Sequence, residues 1–223
     1  MDTLIAALFT GTSRGAIYAL VAMGLVLVWR GAGIVNFAQM GQAMFSTYIA
    51  STLIMNGYSY WLAFFVAIAA GALLGVFLDL VVMRPLSNKK QTELLSSQSM
   101  RSAVPVIASL GILGVLQALA GVIWAAEERG FQAPFAQEGY TFAGRVMPFT
   151  SFDLFVVTVV AITLILTVLF FKKTGVGLAM RASALDQEVA KLSGIRTNGV
   201  RALSWAISGA ASSLAGLLLT PTS

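Results

Sequence analysis

KKTGVGLAMRASALDQEVAKLSGIRTNGVR, residues 172–201, separates two apolar runs that are each long enough to cross a bilayer. Eight charged side chains fall within it, six of them basic, from a chain with only 14 Lys and Arg and nine Asp and Glu. Hydrocarbon does not tolerate that density of charge, so the stretch belongs in water or at a membrane surface. Ala182, Leu185, Val189 and Leu192 recur at helical spacing, while Asp186, Glu188 and Lys191 face elsewhere. The pattern predicts a short helix outside the lipid with one apolar side free for packing. Gly194 supplies a helix stop, and Thr197-Asn198-Gly199 reads as a turn before the chain becomes apolar again.

Composition agrees with a membrane setting. Of 223 residues, 58% are hydrophobic and only 10% charged, against about 25% charged in soluble domains. There is no cysteine, hence no disulfide framework and no thiolate metal site. The absence of histidine removes the usual general base and most zinc or haem ligation. The net charge of +5 does not point to nucleic acid, because the basic residues cluster in loops beside apolar runs. The first apolar run lacks a basic leader and a small-residue cleavage site, and is read as part of the mature protein.

Outward from the charged stretch, six spans are expected over 4–29, 34–53, 61–83, 104–126, 154–171 and 202–219, which makes an all-α polytopic membrane protein with a single transmembrane domain. Arg14 interrupts the first run. Either the span begins near Gly15, with residues 2–13 partly interfacial, or Arg14 faces the bundle interior. The second run opens unusually polar, with Asn36, Gln39 and Gln42 three residues apart on one helical face. Such amides need partners inside the protein or a wet cavity. Asp79 lies near the end of the third span, within reach of Arg84. Gly71 and Gly75 form a Gly-x-x-x-Gly pair, and Gly15, Gly24, Gly111, Gly114, Gly209 and Gly216 extend a small-residue set suited to close helix packing. Residues 86–103 read as a polar loop, and 127–151 as a second, net-acidic connection.

Topology follows from counting Lys and Arg in alternate loops. One side receives eleven: Arg30, the four from Arg84 to Arg101, and the six from Lys172 to Arg201. The other receives only Arg129 and Arg145. The positive-inside rule therefore places residues 172–201 in the cytoplasm, and six spans place both termini outside.

Two blocks carry a family resemblance. Ile17-Tyr18-Ala19-Leu20-Val21-Ala22-Met23-Gly24-Leu25, followed by Gly33-Ile34-Val35-Asn36-Phe37-Ala38-Gln39, resembles the amino end of permease subunits of branched-chain amino acid ABC importers. Thr174, Gly175, Gly177, Ala179, Arg181, Ala182, Ala184, Asp186, Glu188, Ala190, Leu192, Gly194 and Ile195 are similar to that family's cytoplasmic coupling segment. Met40 stands where the family usually has glycine, and the family normally continues through further spans, so a permease incomplete at its C-terminus is expected. The resemblance implies import of leucine, isoleucine, valine or related compounds such as other amino acids, amides or urea. It implies a homologous second permease subunit, two cytoplasmic ATPase subunits and an extracytoplasmic substrate-binding protein, all at a bacterial plasma (inner) membrane. The chain has no Gly-x-x-x-x-Gly-Lys-Ser/Thr loop, so ATP is expected on partner subunits, with no cofactor or metal here and no enzymatic role.

The candidate coupling residues are Gly177, Arg181, Leu185, Asp186, Glu188, Val189, Leu192 and Gly194. The alternative for them is a helix resting on lipid headgroups. The candidate translocation-path residues are Tyr18, Asn36, Gln39 and Gln42, each with the alternative of interhelical hydrogen bonding. Two rival functions stay open at this stage. An ion-coupled secondary transporter of small polar solutes would need an ion or proton site, for which only Arg14 and Asp79 approach membrane depth. A non-transporting structural membrane subunit is the other.

Overall fold

The computed structural model describes residues 2–86, 98–125, 133–135, 139–142 and 145–222. Nine α-helices occur among them: α1 Asp2–Ala32, α2 Gln39–Met55, α3 Tyr60–Leu78, α4 Arg84–Leu86, α5 Gln98–Trp124, α6 Ser151–Lys173, α7 Gly175–Leu185, α8 Gln187–Leu192 and α9 Thr197–Leu219. A π-helical turn, Asp79–Met83, joins α3 to α4, and Thr220–Thr222 closes with a 3₁₀ turn. Most of the 86–103 loop and part of the 127–151 connection expected from sequence lie outside the described residues. What is described of the second includes an antiparallel hairpin, β1 Gly139–Phe142 with β2 Arg145–Thr150, which the sequence reading did not anticipate.

Among the described residues, five helices are long and apolar enough to cross a membrane: α1, α3 with its continuation, α5, α6 and α9. The expected second span falls short because its helix begins only at Gln39 and runs 17 residues. Residues 33–38 are unwound, with Gly33 at φ 70°, a conformation glycine adopts without penalty. The helix α1 is the longest, about 46 Å at 1.5 Å per residue. Ile17 and Leu20 carry α1 into a core shared with Phe152 and Val156 of α6 and Leu214 and Leu218 of α9. Arg14 lies one turn beyond that layer and is exposed, and Phe9 meets Phe149 of the hairpin at 5.2 Å. Arg14 therefore does not face the interior of the bundle that the described residues form.

The bundle is organised around α9, which packs against α1, α2 and α3 together. Of its span 61% is buried, against 11% of α6, the most apolar helix. A lipid-facing helix must be greasy, whereas a central membrane helix gains from small residues that let backbones approach. Gly71 and Gly209 each lie against the other's backbone carbonyl, Gly75 sits under the Trp205 carbonyl, and Gly216 abuts Thr47 and Ala43. The Gly71–Gly75 pair is thus a seat for α9. Gly15, Gly111 and Gly114 meet nothing within 4 Å.

Candidate functional site

Residues 172–201 depart from the single helix expected. They include two helices, α7 and α8, separated at Asp186, whose backbone is extended (φ −155°, ψ 116°). Asp186 Oδ1 accepts from Glu188 N at 2.8 Å and Val189 N at 3.1 Å, capping α8 and satisfying two of its orphan donors. A one-residue break leaves the apolar spacing nearly in phase, which is why periodicity alone hid it. At the other end, Thr174 Oγ1 accepts from Gly177 N at 2.9 Å and starts α7 directly after α6. Gly177 is buried against Phe170 and Phe171, where a Cβ would collide with backbone. The chain can fold back on α6 only with glycine there.

Gly194 ends α8 as its position in the sequence predicts. With φ 82° it donates to Lys191 O, while Ile195 N donates to Ala190 O, both at 3.0 Å. These are the paired bonds of a Schellman motif. The expected turn at Thr197-Asn198-Gly199 is instead the first turn of α9. The result is a handle fixed at both ends. On its outer surface Leu185 and Leu192 are each 90% exposed and Val189 57%, flanked by exposed Arg181 and Glu188.

The handle joins α9 beside an ion network that local spacing only half reveals. Asp79 is fully buried on the π turn. Its Oδ2 accepts from Arg84 Nε at 3.1 Å, as the sequence led us to expect. Its Oδ1 lies 2.7 Å from Arg201 Nε on α9, an ion pair whose N–H is not aligned for a directed hydrogen bond. Arg84 Nη2 also donates to Asn198 O at 3.0 Å. A π turn widens the helix locally and recurs at functional positions. Here it holds a carboxylate between two guanidinium groups.

The four candidate path residues do not form one cluster. Tyr18 is 66% exposed and points away from the α1 face that carries Ile17 and Leu20 into the core. Asn36 is not on a helical face with Gln39 and Gln42, because it lies in the unwound segment. That segment is held by Ser109 of α5, whose Oγ accepts from Phe37 N at 3.2 Å. Gln39 bridges three helices: its Nε2 donates to Val21 O at 2.8 Å, and its Oε1 accepts from Ser208 Oγ at 3.4 Å. Gly24 leaves room for that amide. Asn36 and Gln42 are fully buried, and neither side-chain amide has a hydrogen-bond partner among the described residues. Sequence reasoning missed Ser109, Arg201 and the stripe Ser204–Ser208–Ser212. The last was detectable as serine at every fourth position, one turn apart.

The profile of the family described as "Branched-chain amino acid transport system / permease component" matches residues 7–223. The high-affinity branched-chain amino acid transport system permease protein LivH of Salmonella typhimurium is 27% identical over 95% of this chain and 69% of its own length. The probable branched-chain amino acid transport permease protein LivH of Methanocaldococcus jannaschii is 31% identical over 90% of this chain and 61% of its own. The fructose import permease protein FruF of Bifidobacterium longum is 26% identical over 96% and 54%. No solved structure matches. With a bundle of membrane-crossing helices and a profile match over nearly the whole chain, the protein belongs to the family of permease components of branched-chain amino acid transport systems.

Proposed function

We propose that this chain is the membrane-spanning permease subunit of an ATP-driven importer, that it forms part of the translocation path, and that α7 and α8 are the handle on which a cytoplasmic ATPase acts. The observation that carries this reading is the exposed row Leu185, Val189 and Leu192 on a segment that is capped at both ends and carries Arg181, Asp186, Glu188 and Lys191. Unpartnered apolar side chains in a water-facing segment cost free energy unless something covers them. A pocket on an ATPase subunit fits that requirement, with Arg181 and Glu188 setting register at the rim. Closure of two ATPase subunits on ATP then displaces the handle, and the rigid caps pass the displacement to α6 and α9.

The assembly on this reading holds a homologous second permease subunit, two ATPase subunits and an extracytoplasmic binding protein. The transported solute is a branched-chain amino acid. Uncharged amides at Asn36 and Gln42 suit a zwitterion that must pass without being trapped, and the fructose permease among the relatives makes a neutral polar solute the second reading.

The test is Leu185→Glu combined with Leu192→Glu in the assembled complex. Both side chains are exposed, so the fold is expected to keep its stability within about 0.5 kcal/mol. Uptake and co-purification of ATPase subunits are expected to be lost. Undiminished ATP-driven uptake by that variant refutes the handle. Uptake that continues when ATP hydrolysis is blocked, and stops when ion gradients collapse, refutes the importer itself.

A further inference from the structure

A cleft of about 240 Å³ separates the cytoplasmic end of α1 from the α7–α8 break. Trp29, Arg30 and Gly33 line one wall, Ser183, Leu185 and Asp186 the other. Arg30 is exposed and held over the Phe171 ring, its guanidinium carbon 5.9 Å from the centroid. Asp186 has spent one oxygen on the α8 cap. The two opposite charges face one cavity, yet no ion pair joins them among the described residues. Ser183 is 3% exposed, and its Oγ is without a hydrogen-bond partner there. A gap lined by an anion, a cation and an orphaned hydroxyl fits an occupant that is itself dipolar.

We propose that this cleft binds the headgroup of an aminophospholipid, with its phosphate on Arg30 and Ser183 and its primary ammonium on the second oxygen of Asp186. Position favours a lipid over a soluble zwitterion. Trp29 is 58% exposed at the end of a membrane-crossing helix, where aromatic rings mark the headgroup layer. One turn deeper, Val26 is 47% exposed and continues an apolar track for an acyl chain. Charged pockets between helix ends on the cytoplasmic side are sites where headgroups lodge. The site needs no partner subunit, and of the apolar row only Leu185 borders it, so Val189 and Leu192 stay free. Its failure therefore leaves the coupling reading untouched.

Native mass spectrometry of the full chain in detergent, titrated with phosphatidylethanolamine, phosphatidylcholine and phosphatidylglycerol, tests the site. The ethanolamine lipid is expected to bind roughly tenfold or more tightly than the other two, since only it offers ammonium N–H donors to a carboxylate. Asp186→Asn keeps a side chain that caps helices equally well and removes the charge, so it is expected to erase the preference for ethanolamine over choline. Arg30→Gln is expected to weaken all three. Equal binding of the ethanolamine and choline lipids, or a preference unchanged in Asp186→Asn, overturns the proposal. So does displacement by free phosphoethanolamine or leucine at equal concentration, which assigns the cleft to a soluble zwitterion.

Discussion

Replacing Asp79 by Asn keeps the size of the side chain and removes the one negative charge in the network that ties α3 to α9. The carboxylate is fully buried, with one oxygen on Arg84 and the other beside Arg201. The Arg201 side chain retains 13% of its surface and that of Arg84 32%, so the two cations depend on Asp79 unequally. Without it, Arg201 becomes an uncompensated charge in a nearly closed site, a situation that costs roughly 3–5 kcal/mol. Arg84 still reaches water, and exposed pairs contribute only about 0–1 kcal/mol. Arg84→Gln is therefore expected to cost about 1 kcal/mol, Asp79→Asn three or more times that. At about 2–4 °C per kcal/mol for a chain of this size, Asp79→Asn lowers the unfolding midpoint by roughly 6–20 °C. The double variant Asp79→Leu/Arg201→Met removes both charges and is expected to recover most of the loss, because a buried pair gains little over apolar residues of similar volume. Thermal unfolding of the purified chain, followed by size-exclusion chromatography, reads all four proteins. Equal small losses for Asp79→Asn and Arg84→Gln, or a double variant no more stable than Asp79→Asn, refute the reasoning.

Gly71→Leu forces a side chain into the α9 backbone, where Gly209 O lies 2.7 Å from the position of a Cβ. It is expected to cost upward of about 1–3 kcal/mol and to reduce the yield of folded protein, whereas Gly15→Ala meets open space and is expected to leave the yield unchanged. Gln42→Met removes a buried amide with no partner among the described residues. It is expected to raise stability by about 1–3 kcal/mol and to lower uptake, measured in the same cells. Lower stability with unchanged uptake would assign the amide a structural role alone.

The crossing helices were legible because length and apolarity are local properties, and a run such as 154–171 has no soluble alternative. Helix ends were legible where one residue type enforces them, as Gly194 does with its positive φ. The break at Asp186 was not, because capping competes with propagation at a single position while the apolar spacing reads through it. The unwound stretch 33–38 was equally hidden: Asn36, Gln39 and Gln42 have helical spacing, and only Ser109, distant in sequence, shows that the helix starts later. The central place of α9 was the least legible feature. It depends on the fit of Gly209 to Gly71 and of Gly216 to Ala43, and such complementarity exists only between elements. Arg201 escaped for the same reason, since nothing near it in sequence announces Asp79.

These features together constrain how a push on the handle is divided. Contacts between α9 and α3 are backbone to backbone at Gly71, Gly75 and Gly209, which leaves little free volume for sliding. Their ends beside the handle are pinned by Asp79 between Arg84 and Arg201, and by Arg84 on the Asn198 carbonyl. Gln39 ties α2 and α1 to the same block through Ser208 and Val21. In contrast, α6 buries only Phe152, Val156 and Val160, all in its N-terminal half, and turns into the handle at Thr174. Force arriving at α7 and α8 therefore meets a stiff block on the α9 side and a lightly held helix on the α6 side. On the proposed mechanism, the movement of lower cost is a tilt of α6 about its N-terminal, buried end, with Thr174 and Gly177 as the bend. The four-helix block then supplies the fixed wall against which the path opens.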